Sequence, residues 1–229
     1  MTPPVVLAIA ATDSGGGAGL SADLATFAAL GVHGTCVVTA VTAQDTTGVH
    51  AIHRVPIEII AAQLDAVLDD LTPSVIKTGM LGTAAVARLV ADRCAGFPLV
   101  VDPVLRASTG ASLADQELVA AYREHLLPIA TAVTPNADED AALGHPQQPG
   151  VVITQGGNIL TPNDHGTGCT FASALAAHLA LGADLRRATD CAHAFVARQL
   201  TLGLDWDLGA GRGPVAHIST SSMTEVAPQ

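Results

Sequence analysis

Ser74-Val75-Ile76-Lys77-Thr78-Gly79-Met80-Leu81-Gly82, followed by Thr83 to Cys94 and then Pro98-Leu99-Val100-Val101-Asp102-Pro103, decides the fold. Val75 and Ile76 begin a run of strand length that stops at Gly79. Thr83 to Cys94 reads as a helix, and Pro98 to Val101 is a second apolar run that ends at Asp102. Two strands joined by a helix run parallel through a right-handed crossover, and a parallel sheet needs helices on both faces. Gly79 and Asp102 then sit at the C-terminal edge of the sheet, where open α/β folds bind ligands.

The same alternation extends in both directions. Val5 to Ala10 is a short apolar run that delivers the loop Thr12-Asp13-Ser14-Gly15-Gly16-Gly17-Ala18-Gly19, and Ala22 to Leu30 reads as helix. Thr35 to Thr42 is β-rich, Asp45 to Gly48 is a turn, Val49 to Val55 is a second strand, and Pro56 opens a helix over Ile57–Leu71. Downstream, Leu113 to Leu127 reads as helix, Ala130 to Thr134 as a short strand and Val151 to Thr154 as the last clear strand, leaving through Gln155 to Asn158. A final helix spans about Leu185 to Leu202, and the Gly-, Ser- and Pro-containing tail beyond Gly209 is expected to be loose. The expectation is one domain over residues 1–229, with an ordered core from about 5 to 205.

Composition narrows the function. The chain has 229 residues, 49% hydrophobic and 14% charged, enough for a full core in one α/β domain. Its formal net charge of −11 argues against nucleic acid or an anionic membrane surface as partner. Lys77 is the only lysine, so a phosphate ligand would be held by backbone amides, Arg or a divalent cation. Cys36, Cys94, Cys169 and Cys191 show no C-x-x-C pairing, which fits reduced thiols in a cytoplasm. Neither a signal peptide nor a membrane span is expected.

The chemistry centres on Asp164-His165-Gly166-Thr167-Gly168-Cys169-Thr170, which runs directly into the apolar segment Phe171 to Ala180. Gly166 and Gly168 allow a tight turn, and a helix starting there aims its first-turn amides and positive dipole end at one point, an anion site without a basic side chain. Cys169 would sit at the helix N-terminus, where a thiolate is favoured and a proton can be taken from an attacking hydroxyl. These residues serve equally as an N-capped core helix with a buried Cys. Other positions are similarly two-sided. Gln44 is a polar turn residue or a ligand contact, and Met80 is core or ligand wall. Asn136 and Glu139 are a helix cap or a pair that orients hydrated Mg²⁺.

Six motifs in order are similar to those of the hydroxymethylpyrimidine/phosphomethylpyrimidine kinases of thiamine biosynthesis, members of the ribokinase superfamily. They are Thr12 to Gly19 with Ala22-Asp23, Thr42-Ala43-Gln44, Lys77 to Leu81, Asp102-Pro103-Val104, Thr134-Pro135-Asn136 with Glu139, and His165 to Thr170. The resemblance runs from about Val5 to the last helix. It implies a ribokinase-like α/β fold with a Rossmann-like, mainly parallel central sheet, ATP and Mg²⁺ as cofactors, and an aminopyrimidine as substrate. By the family pattern Asp23 and Gln44 hydrogen-bond the ring, Ala18, Met80 and Val104 wall it, and Gly166, Thr167, Gly168 and Cys169 form the anion hole, with Cys169 accepting the proton. Asn136, Gly156 and Thr167 would meet the nucleotide and Glu139 the metal through water. A homodimer is the assembly the resemblance allows.

Three departures stand out. Ala11 replaces the usual Gly of the first loop, and Gln155-Gly156-Gly157 stands where the family has Lys-Gly-Gly. The segments between Glu139 and Val151 and between Asn158 and His165 are short where the family has a helix and a strand hairpin, which predicts a trimmed nucleotide side. Two other readings compete with a working pyrimidine kinase: a non-catalytic pyrimidine-binding protein that keeps Asp23, Gln44 and Met80, and a pyridoxal kinase.

Overall fold

The computed structural model describes residues 2–106, 110, 113–147, 150–152, 154 and 159–217. Strands β1 (Val5–Ala10), β2 (His33–Val38), β5 (Val75–Thr78), β6 (Leu99–Val101) and β7 (Ala132–Val133) form one parallel sheet in the order β2-β1-β5-β6-β7. Strands β3 (Ala40–Asp45) and β4 (Gly48–Arg54) make a separate antiparallel hairpin. Helices α1 (Gly19–Ala29), α2 (Ile57–Leu71), α3 (Ala84–Cys94), α4 (Gln116–Ala121), α5 (Ala137–Ala142), α6 (Thr167–Ala180) and α7 (Leu185–Leu202) complete the chain. No helix among the described residues is long and apolar enough to cross a membrane.

Both faces of the sheet are buried because alternate residues of one strand feed two cores. Leu7 and Ile9 join Ile60, Leu64, Ile76, Val90, Leu99 and Leu126 on one side. Val6, Ala8 and Ala10 join Phe27, Phe171, Leu175 and Phe195 on the other. Burying each large apolar side chain contributes about 1.5–3 kcal/mol, so the two-sided sandwich is the main source of cohesion. Helix α6 is buried continuously from Thr170 to Ala177, which suits its nearly unbroken run of Ala, Leu and Phe between sheet, α1 and α7.

The register brings Ile9 beside Thr78, Thr78 beside Val101 and Val101 beside Val133. The loops after β1, β5, β6 and β7 therefore open along one edge, as the strand–helix alternation requires.

Three expectations need correction, and a fourth, the strand at Val151 to Thr154, falls partly outside the described residues. The β-rich run Thr35 to Thr42 divides at Thr39, whose N–H donates to Ala10 O and whose hydroxyl donates to Met80 O, so the chain leaves the main sheet there and enters the hairpin. The helix expected from Leu113 begins only at Gln116, where Asp115 caps it by accepting from Leu118 N, and beyond Ala121 it loosens into π and 3-10 turns that end with Pro128 in the last turn. Val151 to Thr154 is represented by a parallel bridge of Val151 to Val133, reinforced by Val152 N donating to Val133 O; Ile153 and Gln155 to Asn158 lie outside the described residues.

The largest correction concerns the first part of the tail; residues 218–229, the rest of that expectation, lie outside the described residues. Residues 210–217 pack as a strap rather than a loose end. Arg212 N donates to Thr46 O, His165 N donates to Gly213 O, Val215 N donates to His165 O, and Val215 and Ala216 are buried. Backbone pairing holds this stretch, and composition carries no trace of it.

Candidate active site

The first loop is built around one carboxylate. Asp13 Oδ1 accepts from Gly15 N at 2.8 Å, and Oδ2 accepts from Gly17 N at 3.1 Å and Ala18 N at 2.8 Å. Burial raises the Asp13 pKa, but its hydrogen bonds from His165, Gly15 and Ala18 outweigh that and hold it below the usual carboxylate range. This loop lies against the α6 turn at glycine distances. A Cβ on Gly17 would collide with the His165 ring, and one on Gly166, whose φ is +86°, would collide with the Gly17 carbonyl. Gly166 caps α6 in the left-handed region, whereas Gly168 is already helical and has no heavy atom within 4 Å of its Cβ position. Gly166 therefore shapes the turn, and Gly168 keeps space open in front of it.

A cavity of about 850 Å³ opens at this edge of the sheet. Among the residues singled out by sequence, Ala18, Gln44, Met80, Val104, Asn136, Glu139, Gly166, Thr167, Gly168 and Cys169 all line it. Met80, Ala11 and Ala40 form a small apolar cluster with Val104 and Leu113 at one side. Ile159, Phe171, Val196 and Leu200 form an apolar surface elsewhere in the cavity. Gly156 lies outside the described residues.

Asp23 lies apart from the other residues singled out by sequence. It is fully buried, its Oδ1 pairs with Lys77 Nζ at 2.8 Å and accepts from Ser173 Oγ at 2.7 Å, and it does not line the cavity. The sequence places Asp23 one turn into α1, on the face turned to the sheet, where the sole lysine needs a counter-charge. Lys77 in turn lies 3.8 Å from Asp102 Oδ2. The carboxylates of Asp23 and Asp102, together with Cys169, raise the lysine pKa against the opposing effect of burial.

Cys169 is half-buried at the cavity wall. A helix N-terminus alone favours the thiolate, but burial pushes this thiol up to about 12. Lys77 offsets that in part, and Asp102 and Asp23 add to it. Burial thus opposes the thiolate that a helix N-terminus alone would favour. Asp102 is itself raised to about 6, first by burial, with Lys77 opposing and Asp23 adding. Glu139 is raised to about 7 by burial and by repulsion from Asp102, against hydrogen bonds from the backbone of Asn136 and Leu105.

The Asn136 and Glu139 pair forms a full capping box. Asn136 Oδ1 accepts from Glu139 N at 2.9 Å, Glu139 Oε2 accepts from Asn136 N at 3.0 Å, and Glu139 Oε1 accepts from Leu105 N at 3.3 Å. Among the described residues no group of three or more His, Cys, Asp or Glu is arranged to hold a metal. Any cation at Glu139 would therefore meet a carboxylate already engaged by the backbone.

Among the lining residues that sequence reasoning did not single out are His165 and Arg212. His165 Nε2 lies 3.0 Å from Asp13 Oδ2, a partner 152 positions away. Arg212 forms a two-pronged pair with Asp164, Nη2 to Oδ2 being 2.6 Å, from a tail expected to be loose. Neither pairing has a local signal, although His165 does stand inside the motif that marked the turn.

Comparison with known proteins gives a consistent picture. The chain matches the phosphomethylpyrimidine kinase family over residues 13–150 and 147–216. It is 40% identical to the hydroxymethylpyrimidine/phosphomethylpyrimidine kinase of Synechococcus elongatus, across 95% of this chain and 98% of that one. That alignment spans 260 positions, more than the 229 residues present, so this chain lacks segments that the relative has. The two family matches meet at 147–150, inside the shortened stretch between Glu139 and Val151. The pyridoxal kinase of Staphylococcus aureus in complex with pyridoxal superposes with a TM-score of 0.84 at 31% identity, over 95% of this chain and 94% of that one. The phosphomethylpyrimidine kinase of Clostridium difficile gives 0.74 at 29%, over 85% and 98%.

Proposed function

The chain belongs to the phosphomethylpyrimidine kinase family, and on that premise we propose that it transfers the γ-phosphoryl group of ATP to 4-amino-5-hydroxymethyl-2-methylpyrimidine and then to the resulting monophosphate. The observation that carries this reading is the shared cavity: Gln44, Met80 and Val104 line the same space as the Gly166 to Cys169 turn. A ring held by the first group would have its hydroxymethyl arm within reach of a phosphate held by the second. Phosphoryl transfer depends mainly on positioning and charge stabilisation, and first-turn amides supply both in a protein whose only lysine is buried.

In this reading Gln44 hydrogen-bonds the ring, Ala18, Met80 and Val104 wall it, and the amides of Gly168 and Cys169 meet the transferring phosphate. Asp102 receives the proton of the attacking hydroxyl, because it is the neighbouring group that is ionised at neutral pH and still basic enough to take one. The neighbouring Cys169 thiol orients that hydroxyl or passes its proton on. The apolar surface of Ile159, Phe171, Val196 and Leu200 takes the nucleoside base, with Asn136, Thr167 and Gly156 on the phosphate side.

The donors also fit Mg²⁺. Asp102 Oδ2 and Thr134 Oγ1 are buried without a hydrogen-bond partner, and the mutual repulsion of Asp102 and Glu139 is the kind of field a hydrated dication relieves. When bound, the ion would neutralise charge on the phosphates. Glu139, with both oxygens on backbone amides, would reach it through water. The four free thiols fit a cytoplasmic enzyme, and a homodimer is the assembly to look for by sedimentation.

The likeness to pyridoxal kinases supports a second substrate reading. Initial rates with the aminopyrimidine, its monophosphate and pyridoxal, each with Mg-ATP, separate the two. Turnover of pyridoxal alone would overturn the pyrimidine assignment, and turnover of none would favour a non-catalytic binding protein.

A further inference from the structure

Gln44 sits at a bulge in β3, and its backbone is held by Ser14, whose hydroxyl donates to Gln44 O and accepts from Gln44 N. Its side chain meets His165 and Thr42. Gln44 Nε2 is 3.2 Å from His165 Nε2, and Gln44 Oε1 is 3.5 Å from Thr42 Oγ1. The same His165 nitrogen is 3.0 Å from Asp13 Oδ2. Asp13 accepts three backbone N–H bonds and is ionised, so His165 Nε2 carries a proton and donates it to Asp13. A protonated ring nitrogen repels an amide N–H and attracts an amide oxygen. The two ends of a carboxamide have the same shape, so a half-turn removes the conflict without moving any neighbour. It brings Oε1 to His165, whose one Nε2–H is then shared between Asp13 Oδ2 and Oε1, and the amino group to Thr42, whose hydroxyl donates to Thr12 O at 2.8 Å and keeps a lone pair to accept with.

We propose that Asp13 and His165 are a specificity-determining positioning pair, which fixes the Gln44 carboxamide with its oxygen toward His165 and its amino group toward Thr42. A carboxamide has two N–H donors and two acceptor lone pairs. One of each is then used inside the protein, and one of each is left for the cavity. The complement of that free edge is a ring nitrogen that accepts beside an exocyclic amino group that donates, the pairing by which Gln and Asn read adenine. A 4-aminopyrimidine offers this edge and a pyridine ring without an adjacent amino group does not. The proposal rests on the pyrimidine kinase reading above and names what enforces its choice of ring.

The test compares two ligands that differ only at that edge: 4-amino-5-hydroxymethyl-2-methylpyrimidine and its analogue with hydrogen in place of the amino group. Dissociation constants and KM and kcat with Mg-ATP are measured for wild type, His165→Phe, His165→Gln and Asp13→Asn, each checked for a cooperative thermal transition. Wild type should prefer the amino compound. His165→Phe should lose about tenfold or more of that preference through Kd and KM, with the analogue's affinity unchanged, and His165→Gln, which keeps an N–H donor, should regain part of it. Asp13→Asn should shift the preference in the same direction and serves if His165→Phe does not fold. Equal weakening of both ligands, or an unchanged preference in the variants, would overturn the proposal by reducing the pair to loop packing. A wild-type protein that binds neither compound would overturn the underlying functional reading instead.

Discussion

The ammonium of Lys77 lies 2.8 Å from the carboxylate of Asp23, and neither side chain is exposed. Removing one partner strands the other charge in the core, which costs about 3–5 kcal/mol. Asp23→Asn should therefore lower unfolding stability by that order, measured by urea denaturation, while Lys77→Met in the Asp23→Asn background should recover part of the loss. If Asp23→Asn is as stable as wild type but weakens pyrimidine binding, Asp23 is a ligand contact and its place beneath the cavity has been misjudged.

In the proposed mechanism Asp102 and Cys169 divide the work of one proton. Asp102→Asn should cut kcat by ~10²–10⁴-fold, the usual range for loss of a general base, with pyrimidine affinity nearly intact. The kcat/KM profile of wild type should rise with pH through an apparent pKa near 6, the value burial imposes on Asp102 in the free enzyme. Cys169→Ala should slow turnover without erasing that limb. A profile governed instead by a group near 12, lost in Cys169→Ala, would return the role of base to the thiol.

The Glu139 carboxyl titrates near 7 in the folded chain, above its ordinary 4.5. Between those values the folded state holds more protons than the unfolded one, so this group's contribution falls as pH rises from about 4.5 to about 7. His217 acts in the opposite direction, because its pKa is lowered to about 4 by burial and its contribution grows from about 4 to 6.5. Glu139→Gln cancels the histidine from the comparison. Wild type should lose stability relative to the variant as pH rises from 5 to 7.5, in thermal melts without metal, and Mg²⁺ should reduce that loss. A difference independent of pH would contradict the raised pKa.

Gly213 lies so close to Asn163 that an added Cβ would collide with its side-chain oxygen. Asn163 meanwhile donates to Gly203 O at 2.8 Å and to Trp206 O at 2.9 Å, tying the end of α7 to the residues that lead into the Gly166 turn, to which Gly213 N of the strap donates at Pro162 O. Gly213→Ala should lower the melting temperature, with a cost of about 1–3 kcal/mol expected from overpacking. It should also weaken phosphate binding more than ring binding in calorimetry. A neutral substitution would return the tail to the loose end expected from its composition.

The short segment between Glu139 and Val151 should leave base recognition weaker than phosphate recognition, since the amides of the α6 turn remain in place. Initial rates with ATP, GTP and CTP at saturating pyrimidine should differ little. A tight, ATP-selective enzyme would mean that the apolar surface of Phe171, Val196 and Leu200 encloses adenine well enough to replace the missing elements.

Val75-Ile76, Leu99-Val100-Val101 and the helix between them determined the parallel sheet, because strand direction follows from crossover length and both are local properties. The same holds for the glycines of the α6 turn and for the Asn136 and Glu139 cap, whose partners are three residues apart. What only the tertiary structure decided are pairings between charges distant in the chain. Asp23 was assigned to the ligand because its motif was visible and its burial was not; the fold turns it to Lys77. The helix dipole and the resemblance both point to a thiolate at Cys169, and burial beside two carboxylates, which no local pattern reveals, works against it. Asp13 and His165, and the strap at Pro214, meet across more than 150 and about 50 positions respectively. Hydrophobic periodicity reports which face of an element is buried, but the identity of the group that will face a buried charge is set by packing, and composition leaves no local mark of it.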